Sequence, residues 1–347
     1  MPFMTRTLPL LGYAITVRRV IEETPDARSI VLSVPAELRD KFAYRPGQFL
    51  TVRVPSERTG SVARCYSLAS SPHTDDELKV TVKRVSGGYG SNWLCDNVDE
   101  GSQLHVLPPS GTFAPGDLRG DFLLFAAGSG ITPVMSILKS VLAHADGRVA
   151  LFYANRDPSS VIFEAELRGL SERFPGRLTV QHWLESEQGL PTPAGIAEFA
   201  RTHSSRDAYL CGPAPFMQAV GEALRDLGVE RSRIHVEEFI SLTGDPFRPA
   251  APLTDTGNAS TVTVRLDGET HTLAWPASAN LVDVLLDAGI DAPFSCREGD
   301  CGSCMCSLTA GTVDPGRTEA LDPDDVADGY ILACQARPTS PELEVEF

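Results

Sequence analysis

Four cysteines near the C-terminal end constrain this chain more than any other feature. They stand as Cys296-x4-Cys301-x2-Cys304, with Cys334 following after 29 further residues. Two bridged irons need four thiolates, and a short loop that supplies three of them, clamped by a fourth from a distant segment, suits a 2Fe–2S cluster. Small neighbours (Gly299, Gly302, Ser303) leave backbone N–H groups free to point at the sulfurs and tune the potential. Zinc is the competing ligand, but zinc knuckles are paired Cys-x2–4-Cys steps, which this spacing is not. Cys306 is surplus to the quartet: either a bystander on the strand that follows or a rival for ligation.

A disulfide scaffold fits poorly. The chain has 347 residues and eight cysteines, five of them in the last 52, and a chain this long needs no staples. Its length predicts two or three domains, and the charge is uneven among them. Residues 259–347 carry 16 acids against 4 bases, whereas the preceding 258 carry 30 against 26, within a total of −16. Such a balance argues against nucleic acid or an anionic membrane surface as partner, since phosphates are bound by clustered Lys and Arg. The longest apolar run, Phe122 to Ile131, is broken by Gly128 and Gly130 and falls short of the roughly 18 residues of a membrane span. Met1 to Leu11 lacks the order of a secretion signal, so a cytoplasmic location is expected.

Three rhythms divide the chain. Alternating or β-branched runs between turn residues (Ile15–Val20, Ser29–Val34, Gln48–Val54, Leu78–Val85, Gln103–Leu107) predict an antiparallel barrel over residues 8–116. Over 117–243, apolar strands alternate with helices (Thr132–Ala143, Ile162–Phe174, Ala194–Thr202, Pro215–Leu227), which predicts a doubly wound parallel sheet. Residues 244–258 read as a linker rich in Pro, Gly, Thr, Asp and Ala. The tail, 259–347, opens with a hairpin about Asp267-Gly268, then a helix, the cysteines and a last strand.

Resemblances add to these readings. Phe294 to Cys304 looks like the cluster loop of plant-type ferredoxins, which implies a β-grasp fold and Cys296, Cys301, Cys304 and Cys334 as iron ligands. Arg64-Cys65-Tyr66-Ser67 is similar to the R-x-Y-S signature of the ferredoxin–NADP reductase superfamily. That resemblance implies Arg64 on a flavin phosphate, Tyr66 against the isoalloxazine and Ser67 near flavin N5. Gly87-Gly88-Tyr89-Gly90-Ser91 opens a helix, whose free N–H groups suit a pyrophosphate; Gly87, Gly88 and Ser91 are its expected contacts. Gly128-Ser129-Gly130-Ile131-Thr132-Pro133 lacks the third glycine of the dinucleotide fingerprint. It matches the pyrophosphate turn of the same superfamily, which implies Gly128, Gly130 and Thr132. At the end of the second strand of that domain stand Asn155, Arg156 and Asp157: Asp157 suits the ribose of NADH, Arg156 a 2′-phosphate of NADPH. Cys211-Gly212-Pro213 resembles the element that brings nicotinamide to flavin, and Phe239 is the expected flavin cover. Ser67 and Cys211 are thus the expected catalytic residues. The seven histidines are scattered and receive no role.

The order of the parts suggests a wire. NADH delivers a hydride, a cluster accepts single electrons, and a flavin converts one into the other. The whole chain resembles reductase components of multicomponent oxygenases with the ferredoxin at the C-terminus. Stretches such as Arg64–Pro72, Tyr89–Asn97 and Asp291–Cys301 are most similar to the reductases of 3-ketosteroid 9α-hydroxylases of sterol-degrading actinobacteria. The resemblance implies FAD (FMN in some relatives), NADH, the 2Fe–2S cluster and a separate Rieske-type oxygenase as partner. Phenylacetyl-CoA epoxidase-like and aromatic-ring hydroxylase reductases are the nearest alternatives, and a stand-alone flavin reductase is the enzymatic rival. A pure electron carrier would need no Arg64–Ser67 or Gly128–Pro133 elements, and a zinc-stabilised binding module would show no visible spectrum.

Overall fold

The computed structural model describes residues 11–144, 146–248 and 259–347. The first third folds into β1 (Tyr13–Thr24), β2 (Ala27–Ser33), β3 (Phe49–Ser56), β4 (Gly60–Ser67), β5 (Leu78–Lys83), α1 (Tyr89–Asn97) and β6 (Gln103–Val106). Every pairing is antiparallel, in the order β4-β3-β6-β1-β2-β5. A bridge from Leu68 to Val80 joins the two outer strands and closes the barrel. Ile15, Val17, Ile30, Leu32, Val52 and Val54 fill its interior, as period-2 alternation requires. Strand β4 escaped the hydrophobic pattern for a physical reason: its barrel-facing positions are Val62, Arg64 and Tyr66, with a charge in the middle, and small residues on its other face (Ala63, Cys65) meet Phe247 and Leu242.

The second layer runs β7 (Phe122–Ala127), α2 (Ile131–His144), β8 (Val149–Asn155), α3 (Glu164–Arg173), β9 (Leu178–Leu184), α4 (Glu185–Gln188), α5 (Pro193–Ala200), β10 (Asp207–Cys211), α6 (Ala214–Asp226) and β11 (Ile234–Glu237). The sheet is wholly parallel, ordered β11-β10-β7-β8-β9. Strand order reverses between β7 and β10, and ligands of such sheets bind in the crevice beyond the strand ends at that point. The near-continuous apolar runs of β7 and β8 follow from burial on both faces.

The tail comprises β12 (Ala259–Leu266), β13 (Glu269–Pro276), α7 (Leu281–Asp287), β14 (Met305–Ala310), β15 (Val313–Asp314), α8 (Pro323–Ala327), β16 (Tyr330–Leu332), β17 (Arg337–Pro338) and β18 (Glu342–Glu346). Its five-stranded sheet is mixed, β13-β12-β18-β14-β16, with β12 and β18 parallel. Asp267 and Gly268 both take positive φ (52° and 79°), the geometry of a two-residue hairpin turn. Asn280 caps α7 by accepting from Asp283 N–H, and the helix packs beside the fully buried Trp275.

Polar contacts join the layers. Ser71 Oγ lies 2.7 Å from Ser140 Oγ, and Lys139, 5% exposed, pairs with Asp75 at 2.7 Å and Glu166 at 3.0 Å. Glu166 also holds Lys79. These ion pairs, centred on the buried Lys139, link the barrel to the parallel sheet. Residues 244–248, the start of the expected linker, pack on the barrel, with Phe247 fully buried; 249–258, like residues 8–10 of the expected first domain, lie outside the described residues.

Candidate functional site

Strand β4 carries Arg64, Tyr66 and Ser67 to the rim of the barrel. Ser67 Oγ is buried and has no hydrogen-bond partner among the described residues, an arrangement that costs stability unless a ligand completes it. Arg64 crosses the first turn of α1: a Cβ on Gly90 would stand 2.8 Å from Arg64 Cγ, so the crossing needs glycine. Just before α1, Gly87 takes φ +70° and Gly88 is extended, while Ser91 Oγ braces the turn by accepting from Val85 N–H at 3.1 Å. The Gly88 N–H, an expected phosphate contact, is instead taken up by Val85 O at 2.9 Å, closing the turn before the helix.

The turns after β7 and β10 meet at the point where strand order reverses. A Cβ on Gly130 would fall 2.1 Å from Cys211 O, so only glycine permits the contact. Thr132 Oγ1 donates to Ser129 O and fixes the Gly128–Gly130 turn at the head of α2. Pro213 precedes α6, exposed beside Gly212. Burial pushes the Cys211 thiol well above its usual range, so it remains a thiol. At the end of β8, Asn155 is buried, and neither amide atom has a hydrogen-bond partner among the described residues. Arg156 reaches back to the barrel, donating to Asp26 Oδ2 at 2.9 Å, and Lys83 Nζ stands 3.8 Å from that same oxygen. Asp157 caps the short turn that follows, its Oδ1 accepting from Ser160 N–H and Ser159 Oγ.

Two cavities share one wall. The first, about 410 Å³, is lined by Lys83, Gly128, Gly130, Gly212, Pro213 and Phe239. The second, about 650 Å³, is lined by Cys65, Ser67, Glu237, Phe239, Leu242 and Cys301. Phe239, 51% exposed, belongs to both. Glu237 was not singled out in the sequence; burial raises its carboxyl to about 8. Cys65 is also held protonated, pushed up to about 12 by burial.

The four spaced cysteines converge. Thiols of Cys301 and Cys334 reach Cys296, and Cys334 also reaches Cys304. Those donated hydrogen bonds hold Cys296 far below the usual thiol range. Each sulfur has a further donor. Glu298 N–H lies 3.3 Å from Cys296 Sγ, Ser303 Oγ 3.0 Å from Cys301 Sγ and Cys334 N–H 3.4 Å from Cys304 Sγ. Gln335 Nε2, unforeseen in the sequence, stands 3.3 Å from Cys334 Sγ. Among the described residues no three His, Cys, Asp or Glu side chains surround a point fit for one metal ion. The thiols instead run as a chain of contacts, Cys301 to Cys296 to Cys334 to Cys304, a spread set of four that suits two irons. Cys306 takes no part in these thiol contacts; its Sγ lies 3.8 Å from Ile331 O inside the domain core.

Comparison with known proteins agrees with this geometry. Residues 14–114 match the oxidoreductase FAD-binding domain, 124–222 the oxidoreductase NAD-binding domain and 264–339 the 2Fe-2S iron-sulfur cluster binding domain. The chain is 60% identical over 337 residues to the 3-ketosteroid-9-alpha-monooxygenase, ferredoxin reductase component, of Rhodococcus rhodochrous, covering 96% of each chain. The chain belongs to this reductase family. The corresponding component of Mycolicibacterium smegmatis is 56% identical, again over 96% of both chains. Among solved structures, phthalate dioxygenase reductase, described as a modular structure for electron transfer from pyridine nucleotides to [2Fe-2S], is similar over 97% of this chain and 98% of its own, with 28% identity and a TM-score of 0.55.

This reductase is therefore an NADH-dependent oxidoreductase using FAD and a 2Fe–2S cluster. Its three-domain order is the one the sequence rhythms predict. No helix among its described residues is long and apolar enough to cross a membrane. The residues missed by sequence reasoning (Glu237, Lys83, Gln335) lie one or two positions from recognised motifs or strands, and only the fold aims them inward.

Proposed function

We propose that this reductase takes electrons from NADH through FAD and its 2Fe–2S cluster to a separate Rieske-type oxygenase, most closely one that 9α-hydroxylates 3-ketosteroids in sterol breakdown. The observation that carries the reading is the larger cavity, walled at once by Ser67 and Phe239 and by the cluster-loop residue Cys301. A flavin there would face the nucleotide cleft across Phe239 and the cluster across Cys301. The bound groups supply the redox chemistry: hydride acceptance by the flavin, and single-electron acceptance by the cluster.

The chain's own residues position and shield. Arg64 and the N–H groups of Gly87 and Ser91 hold the flavin's phosphates at the start of α1, the Gly88 N–H being spent on Val85 O. Tyr66 packs against the ring, and Ser67 donates its orphaned hydroxyl to the ring edge. The Gly128–Gly130 turn and Thr132 cradle the nucleotide pyrophosphate, while Asn155 and Asp157 address the ribose and Arg156 is turned away by Asp26. Gly212 and Pro213 admit the nicotinamide beside Cys211, which fills space as a thiol rather than moving protons. Phe239, in the wall common to both cavities, would cover the flavin on the side of the nucleotide cleft. Cys296, Cys301, Cys304 and Cys334 hold the irons. NADH supply and eight unpaired cysteines support a cytoplasmic location.

The test is reconstitution. The purified reductase, a 3-ketosteroid oxygenase component and 3-ketosteroid should consume NADH in step with hydroxylated product. NADH use that ignores both oxygenase and steroid would mark a stand-alone flavin reductase and overturn the proposal.

A further inference from the structure

The cluster loop is tied to the rest of the chain by three side chains in quick succession. Ser295 Oγ lies 2.7 Å from Thr51 Oγ1 of the barrel, both residues buried. Arg297 donates to Arg248 O at 2.8 Å, and is shared with Asp283 of its own domain. Glu298 makes the third tie, and it is of a different kind. Its Oε1 accepts from Thr243 N–H at 2.9 Å, Thr243 Oγ1 at 2.7 Å and Gly244 N–H at 2.5 Å. Three donors on one carboxylate oxygen form charge-assisted bonds, stronger than the neutral Thr51–Ser295 pair.

Position gives this contact its meaning. Glu298 lies between the ligands Cys296 and Cys301, and its own N–H touches Cys296 Sγ. Thr243 and Gly244 directly follow the stretch from Glu237 to Leu242 that walls the larger cavity. The carboxylate therefore joins the loop that holds the cluster to the segment that covers the flavin cavity. The side chain points out of its own β-grasp fold, toward a segment 54 residues earlier in the chain.

We propose that Glu298 is a clasp, a positioning residue that holds the cluster loop closed against the flavin cavity and so sets the rate of electron passage between the two centres. The proposal rests on the reading that the larger cavity holds the flavin. Electron transfer weakens steeply as two centres separate, so a loosened loop slows transfer without altering either centre. The donors come from the flavin-covering segment, so the clasp also ties that segment's position to the loop.

The experiment compares full-length holoprotein with Glu298→Ala and Glu298→Gln, mixed anaerobically with NADH in a stopped-flow instrument. Flavin bleaching should keep its rate. Cluster reduction should slow about tenfold or more in Glu298→Ala, the population effect of losing charge-assisted bonds to a closed arrangement. Glu298→Gln keeps an acceptor oxygen in place and should recover most of that rate. Two readouts apart from turnover accompany the rates. Amide exchange at 240–248 should quicken in Glu298→Ala, while iron content and the electron-paramagnetic signal of the reduced cluster stay unchanged. An unchanged rate of cluster reduction overturns the clasp, and so does an altered cluster signal, which would make Glu298 a support of the cluster itself. The underlying reading fails differently: NADH would then leave the cluster of the unsubstituted protein oxidised.

Discussion

Glu237 shows how a single residue acquires its chemistry from the fold. It ends β11, at the wall of the larger cavity, and burial lifts its carboxyl to about 8 from an ordinary value near 4.5. A flavin filling that cavity excludes water and pushes in the same direction. Below the ordinary value the folded and unfolded chains are both protonated, and the group's contribution to stability is whole. Between the two values the folded chain keeps a proton that the unfolded chain has released. Stability then falls as pH rises toward 8, with a slope approaching about 1.4 kcal/mol per pH unit. Glu237→Gln removes this dependence. The melting temperature of the variant should therefore gain on that of the unsubstituted protein as pH goes from 5 to 8. Two thermal-shift curves that run parallel across that range would show that Glu237 does not titrate as described. The sequence offered no hint of this, because Glu237 is one of two adjacent acids and only packing distinguishes it from the exposed Glu238. Ser67 is the opposite case: its motif marked it, and the structure adds that its hydroxyl is orphaned.

Elements were legible where a face of the chain is uniformly apolar. Helix α2 and strands β7 and β8 stand within a residue or two of where the pattern puts them, since nearly all of their residues are buried and apolar side chains mark out most of their length. Strand β4 was not, because Arg64 interrupts its barrel-facing row and small residues fill the other face, and β14 and β16 are short and crowded by cysteine and turn residues. The β1–β2 turn was equally silent, yet its Asp26 reaches the nucleotide cleft and holds Arg156, the side chain suited to a 2′-phosphate. NADH selection then belongs to a turn of the barrel as much as to the end of β8. Asp26→Asn should release Arg156 and raise the NADPH:NADH ratio of kcat/KM about two- to fivefold, a modest change because Arg156 is largely exposed. Steady-state kinetics with both nucleotides would check it. An unchanged ratio would return the choice to Asn155 and Asp157 alone.

At the scale of the whole molecule, charge and cofactors divide the labour. Residues 259–347 hold 16 acids and 4 bases, and three of those bases are already paired within the domain: Arg265 with Glu344 and Glu346, Arg297 with Asp283, Arg317 with Asp300 and Glu319. Most of the acids therefore project an unneutralised field from the domain that discharges electrons. Such a field would steer an oxygenase that presents a basic face into encounter, and added salt screens it over about 8–10 Å at physiological ionic strength. Passage inside the chain is held by short contacts such as Thr51–Ser295 and depends on no long-range field. Raising salt from about 20 to 300 mM should thus slow transfer to the oxygenase several-fold while leaving NADH-driven reduction of flavin and cluster nearly constant. Measuring both on one preparation separates the two stages. An oxygenase rate flat with ionic strength would mean that the acidic face serves solubility, and that docking rests on apolar contact such as the exposed Val326 amid Asp324, Asp325 and Asp328.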